Sequence, residues 1–195
     1  MKRIIATVLT LTALATAPPT AAQSDNTLLF QNRDWYVVHE YHPGPDLQAC
    51  AAKTDNRQGD TFDITAWQDE EVVMYLILND LDAWSGSFTD TLVLDIDYER
   101  WELHGAKFED NFVTFAFQPE EVEKVKSFLG DLMRGRAVAL KSPSGNRTLA
   151  AWSLMGFTAA FTSWTDCWNR ISPQDDSYGR GSGDAYGVSD RYGDL

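Results

Sequence analysis

WSLMGFTAAFTSWTDCWNRI, Trp152–Ile171, decides how this chain closes. It opens as the end of a strand and turns at Gly156. It then sets Phe157, Ala160, Phe161, Trp164, Cys167, Trp168 and Ile171 at helical spacing on one broad face. Thr158, Ser163, Thr165, Asp166 and Asn169 fall elsewhere. Phe and Trp dominate core burial, so the stripe reads as a docking face against a sheet and not as a cofactor box. A helix over Gly156–Arg170 is expected, with Cys167 on its buried side.

Upstream, RAVALKS and RTLAAWSL flank SPSGN, a hairpin with Pro143, Gly145 and Asn146 in its turn. Before that, QPEEVEKVKSFLGDLMRG repeats Val122, Val125, Leu129, Leu132 and Met133 at helical spacing. Pro119 suits a first helical position, Glu120 and Glu121 suit the positive end of the dipole, and Gly135 suits a C-terminal stop. A second helix is therefore expected over Pro119–Arg134. Earlier still come short strand-like runs: Asp34–His42, Gln48–Thr54, Thr61–Gln68, Val72–Asn79, Thr91–Asp97, Arg100–Gly105 and Asn111–Phe117. In the first, Trp35, Val37, His39 and Tyr41 face one way. Val72–Asn79 is apolar on both faces and should be central. Successive strands without intervening helices point to an α+β fold, a mostly antiparallel β-sheet or sandwich with two packed α-helices.

Residues 1–22 carry two cations, an apolar run and small residues at Thr20 and Ala22, the three regions of a secretory signal peptide. The run is too short for a comfortable membrane span, which takes roughly 20 residues. In an exported chain two cysteines most simply form one disulfide, Cys50 with Cys167. Closing a loop of roughly 100 residues is worth about 4 to 5 kcal/mol in the chain-entropy account. Residues 23–33 read as a polar leader, 34–171 as a single disulfide-linked β-rich domain, and 172–195 as a disordered tail rich in Gly, Ser, Asp and Tyr.

The formal charge of −13 becomes −15 when Lys2 and Arg3 leave with residues 1–22. Such a chain is repelled by nucleic-acid phosphates and anionic lipid, so a cationic protein partner is the expected kind. No membrane insertion is expected after signal cleavage.

Trp35 opening the first strand, Cys50 some fifteen residues on, several short strands and a late SLMGF (Ser153–Phe157) before a small-and-aromatic helix resemble the invasion-associated locus B family of small exported bacterial proteins. The resemblance covers about Asp34 to Ile171. It implies a periplasmic or secreted β-rich domain without established catalytic residues.

Specific chemistries find little footing. His39 and His42 point to opposite faces of a strand, and His104 is the only other imidazole, so no metal site is expected. Asp95, Asp97 and Glu99 read as one face of a strand, a row that can bind calcium or serve as acid and base in a secreted hydrolase, although polar-out alternation is ordinary for antiparallel sheets. Asp80 and Asp82 lack the spacing of a calcium loop. Ser182–Tyr186, SGDAY, has the S-G-x-x-Y pattern of periplasmic lysozyme inhibitors but lies in the tail. Asn146-Arg147-Thr148 fits a glycosylation sequon. No cofactor is expected. The expected role is that of an exported, non-catalytic binding or accessory protein of the bacterial cell envelope, with the hydrolase and the lysozyme-inhibitor-like protein as alternatives.

Overall fold

The computed structural model describes residues 25–68, 74–79, 91–97, 99–109 and 112–172. The expected signal peptide, Asp80, Asp82, Ser182–Tyr186 and the rest of the tail beyond Ser172 lie outside the described residues.

Among the described residues, eleven strands and two α-helices follow one another. The strands are β1 (Asp25–Asn32), β2 (Trp35–His42), β3 (Leu47–Asp55), β4 (Thr61–Trp67), β5 (Met74–Asn79), β6 (Thr91–Ile96), β7 (Glu99–His104), β8 (Lys107–Glu109), β9 (Phe112–Phe117), β10 (Ala137–Lys141) and β11 (Thr148–Ser153). Helix α1 (Val122–Arg134) follows a 3-10 turn at Pro119–Glu121, and α2 spans Phe157–Ile171. All pairings are antiparallel. They form a seven-stranded sheet, β1-β2-β3-β4-β5-β9-β8, and a four-stranded sheet, β11-β10-β6-β7. The α+β fold with a mostly antiparallel sheet and two packed helices is therefore what the chain adopts.

The core sits between the sheets. Period-2 alternation sends Trp35 and Val37 of β2, Cys50 and Ala52 of β3, and Phe62 and Ile64 of β4 to one face, where they meet Leu94, Val138 and Trp152 of the smaller sheet. Helix α2 lies on the same face, along β1, β2 and β3. Its apolar stripe is the one read from the sequence, with Phe157, Ala160, Phe161, Trp164, Cys167 and Ile171 buried. The disulfide Cys50–Cys167 pins it there, with Cα atoms 6.0 Å apart.

Buried indoles keep their polar edge satisfied. Trp35 Nε1 donates to the Ser153 carbonyl at 2.9 Å, Trp152 Nε1 to the Asp60 carbonyl at 2.8 Å, and Trp164 Nε1 to the Cys50 carbonyl at 2.8 Å. Each bond ties elements far apart in sequence, so the tryptophans fix orientation as well as bury area. Trp101 of β7 does the same for α1, donating to Asp131 at 3.0 Å while packing edge-on against Phe128.

Three expectations change. The polar leader over 23–33 folds from Asp25 onward, as edge strand β1, joined to β2 through Arg33-Asp34 with Arg33 at φ 55°. Asp97 and Glu99 are not on a common strand with Asp95, because β6 ends at Ile96, Asp97 turns the chain at φ 51°, and Glu99 begins β7. Gly135 ends α1 in extended backbone, φ −74°, so left-handed freedom is not its purpose. A Cβ there would sit 2.8 Å from both Ile96 and Leu154, which makes the position a packing requirement. Gly156 has both reasons: φ is +103°, and a Cβ would lie 2.7 Å from the Asn32 carbonyl oxygen.

Candidate functional site

The face of the seven-stranded sheet turned away from α2 carries the complementary half of the alternation. Tyr36, Val38, Glu40 and His42 of β2 meet Lys53, Ala51, Ala49 and Leu47 of β3, and Asp63, Thr65 and Trp67 of β4 continue the rows. Here charged groups do what aromatics do on the other side. Lys53 Nζ lies 2.7 Å from Glu40 Oε1 and 3.1 Å from Asp63 Oδ2, and the Thr65 hydroxyl donates to Asp63 at 2.6 Å. The sheet register sets Lys53 opposite Tyr36 and Asp63, with Glu40 opposite Ala49. The Lys53–Glu40 bond therefore reaches along the sheet past Ala51, and both alanines are fully buried although neither joins the continuous apolar cluster on the inner face. Small side chains at Ala49 and Ala51 leave the room that the long ion pair occupies.

The electrostatics follow from burial. Asp63 is buried, and desolvation pushes its carboxyl above the usual carboxylate range against the pull of Lys53 and the Thr65 hydrogen bond. Burial alone would lower Lys53, but the charge of Asp63 and the hydrogen bond and charge of Glu40 outweigh it and hold the ammonium well above the ordinary lysine value. With two carboxylates in reach, Lys53 keeps its proton at neutral pH. At the margin, the Tyr36 hydroxyl meets Asp55 at 3.3 Å, and its pKa is pushed up to about 12 by burial first and by the Asp55 charge second. Thr61 also donates to Asp55, at 2.7 Å. Glu40 and Asp63 share the one ammonium of Lys53, and exposed Asp55 stands two residues along β3 from it, so carboxylates outnumber cations in this part of the face.

The residues singled out from the sequence are distributed differently. His39 faces the α2 side and meets Gln48 at 2.9 Å; His42 is on the opposite face, its ring 5.0 Å from that of Trp67. His104 bonds Thr91 at 3.0 Å on the smaller sheet. Among the described residues no three His, Cys, Asp or Glu side chains are grouped to hold a metal. Asp95 and Asp97 do share a groove, about 730 Å³, with Arg134, Arg136 and Lys141. Asp95 pairs with Lys141 at 3.3 Å, and the Asp97 carboxylate accepts backbone N–H bonds from Arg136 and Ala137 at 3.1 to 3.2 Å. Asp97 thus holds the β6–β7 turn against the start of β10. Glu99 does not line the groove.

The Glu40–Lys53–Asp63 network escaped the sequence reading. Each member stands at an outward position of its own strand and reads singly as a solvated residue; only the inter-strand register joins them. The available signal was that alternation puts a carboxylate, an ammonium and a carboxylate on the same parity of three successive strands.

No family model matches the chain, and no curated protein or solved structure matches it either. The Cys50–Cys167 disulfide accords with an oxidising compartment. No helix among the described residues is long and apolar enough to cross a membrane.

Proposed function

We propose that the protein is an exported, non-catalytic binding or accessory protein of the bacterial cell envelope, working in the periplasm or outside the cell, and that it docks a cationic protein through the outer face of the seven-stranded sheet. The observation that carries this reading is the carboxylate excess fixed around Lys53: Glu40 and Asp63 are locked in an ion network, and Asp55 stands exposed beside it. A preorganised charged face loses little entropy on docking and steers a partner of opposite sign, most strongly at low salt. The formal charge of the chain acts in the same direction. The resemblance of Asp34–Ile171 to the invasion-associated locus B family accords with an envelope address. A pull-down from envelope extract at low and high salt tests the reading. Recovery of a basic protein that fades as salt shortens screening to about 8 Å supports it, and failure to recover any basic protein at low salt contradicts it.

A second reading, a secreted hydrolase, draws on the groove shared by Asp95 and Asp97. Turnover of a glycoside or ester that disappears in Asp95→Ala while the fold persists would favour it.

A further inference from the structure

We propose that β1 is a self-association edge, pairing antiparallel with β1 of a second copy so that the seven-stranded sheets of the two chains run into one another. In the sheet order β1 is terminal, with β2 on one side and no strand among the described residues on the other. Unpaired edges of soluble proteins are ordinarily guarded by lysine, proline or inward charge. β1 reads DNTLLFQN and has no lysine or proline; its one charge, Asp25, stands at its first residue, and a bulge lies at Leu29.

Apolar exposure gathers at this edge. The exposed large hydrophobic residues among those described are Leu28 at 57%, Leu29 at 37% and Met155 at 51%. Two belong to β1, and Met155 precedes Gly156, which abuts Asn32 at the end of β1. Elsewhere among the described residues such side chains are covered, so the concentration calls for a partner and not for solvent.

Charge and register select a second copy of the chain as the occupant. A strongly acidic chain repels its own copies except where its surface is neutral, and Asn26–Asn32 contains no ionisable side chain. The pairing with β2 puts Asn26, Leu28 and Gln31 on the outer face and Asp25, Thr27, Phe30 and Asn32 on the inner face, with the bulge at Leu29 reversing the parity. A two-fold axis between Leu28 and Leu29 then sets Asn26 opposite Gln31 of the second copy, Thr27 opposite Phe30, and Leu28 opposite Leu29. Asn26–Gln31 joins two outer-face residues and Thr27–Phe30 two inner-face residues, which a strand without the bulge could not achieve about that axis. The four leucines meet at the centre. The same irregularity that distorts the β1–β2 ladder makes β1 complementary to itself.

The test is hydrodynamic. Sedimentation equilibrium of the exported protein across a dilution series should show a monomer–dimer equilibrium, and Leu28→Lys/Leu29→Lys should raise the dissociation constant about 100-fold or more while leaving the melting temperature of the dilute monomer unchanged, because both side chains are exposed in the single chain. The milder Leu28→Lys serves if the double variant melts early. Mixing Asn26→Cys protein with Gln31→Cys protein should give a covalent heterodimer faster than either variant dimerises alone. A monomer at every concentration overturns the proposal. So does a dimer indifferent to the lysines, or a monomer whose β1 is occupied by a foreign strand.

Discussion

The two faces of the seven-stranded sheet solve the same problem with opposite chemistry. On the inner face, Trp35, Phe62 and Trp164 are all but completely buried, the two indole N–H groups satisfied by the distant carbonyls of Ser153 and Cys50, and the Cys50–Cys167 disulfide pins α2 to β3. On the outer face the same strands bury alanines beneath an ion network of Glu40, Lys53 and Asp63. Apolar burial is favourable in itself, whereas a buried ion pair roughly offsets its own desolvation. The inner face therefore holds the fold, and the outer face, which contributes less to stability, is free to be shaped for recognition.

That division can be broken by measurement. Trp164→Ala removes a fully buried ring and leaves the Cys50 carbonyl without its donor, and should cost about 3 to 5 kcal/mol in urea denaturation. Reducing Cys50–Cys167 with the rest intact should cost about 2 to 4 kcal/mol, seen as a lower denaturation midpoint in dithiothreitol. On the outer face Lys53→Met strands the Asp63 carboxylate. The expected loss is about 2 kcal/mol, below the range for fully buried pairs because the Lys53 side chain retains 20% exposure. Adding Asp63→Leu to that variant should restore much of the loss, since a matched apolar pair replaces an orphaned charge. A Lys53→Met cost equal to that of Trp164→Ala would erase the distinction between the faces.

The smallest effect is in pH. In the folded chain Lys53 and Tyr36 both hold their protons above their ordinary values of 10.5 and 10.0. Their contributions to stability are full below those values and are lost as pH rises through the folded ones. Stability should thus decline from about pH 10 upward. Absorbance titration should show one phenol ionising near pH 12 that is missing in Tyr36→Phe.

What the sequence made legible was what burial writes into periodicity. Strands β2 to β7 and β9, the face of α2 and its cysteine follow from alternation at two and recurrence at 3.6. β1 was not legible, because an edge strand exposed on both faces has no alternation to read, and Arg33-Asp34 is not a usual hairpin dipeptide. β8 is only three residues long. The carboxylate row at Asp95 to Glu99 failed because a residue at φ 51° ends the strand inside it, and no periodicity argument sees a single positive φ. The outer ion network depends on the pairing of three strands, which the sequence of any one of them does not contain.

The central claim, that the outer face binds while the inner face folds, is tested most directly by one paired measurement on Glu40→Gln/Asp55→Asn. Its affinity for a lysine-rich peptide at low salt is set beside its melting temperature, each against the parent protein. Affinity should fall tenfold or more while melting shifts by only a few degrees. Unchanged affinity in a folded variant would contradict the claim.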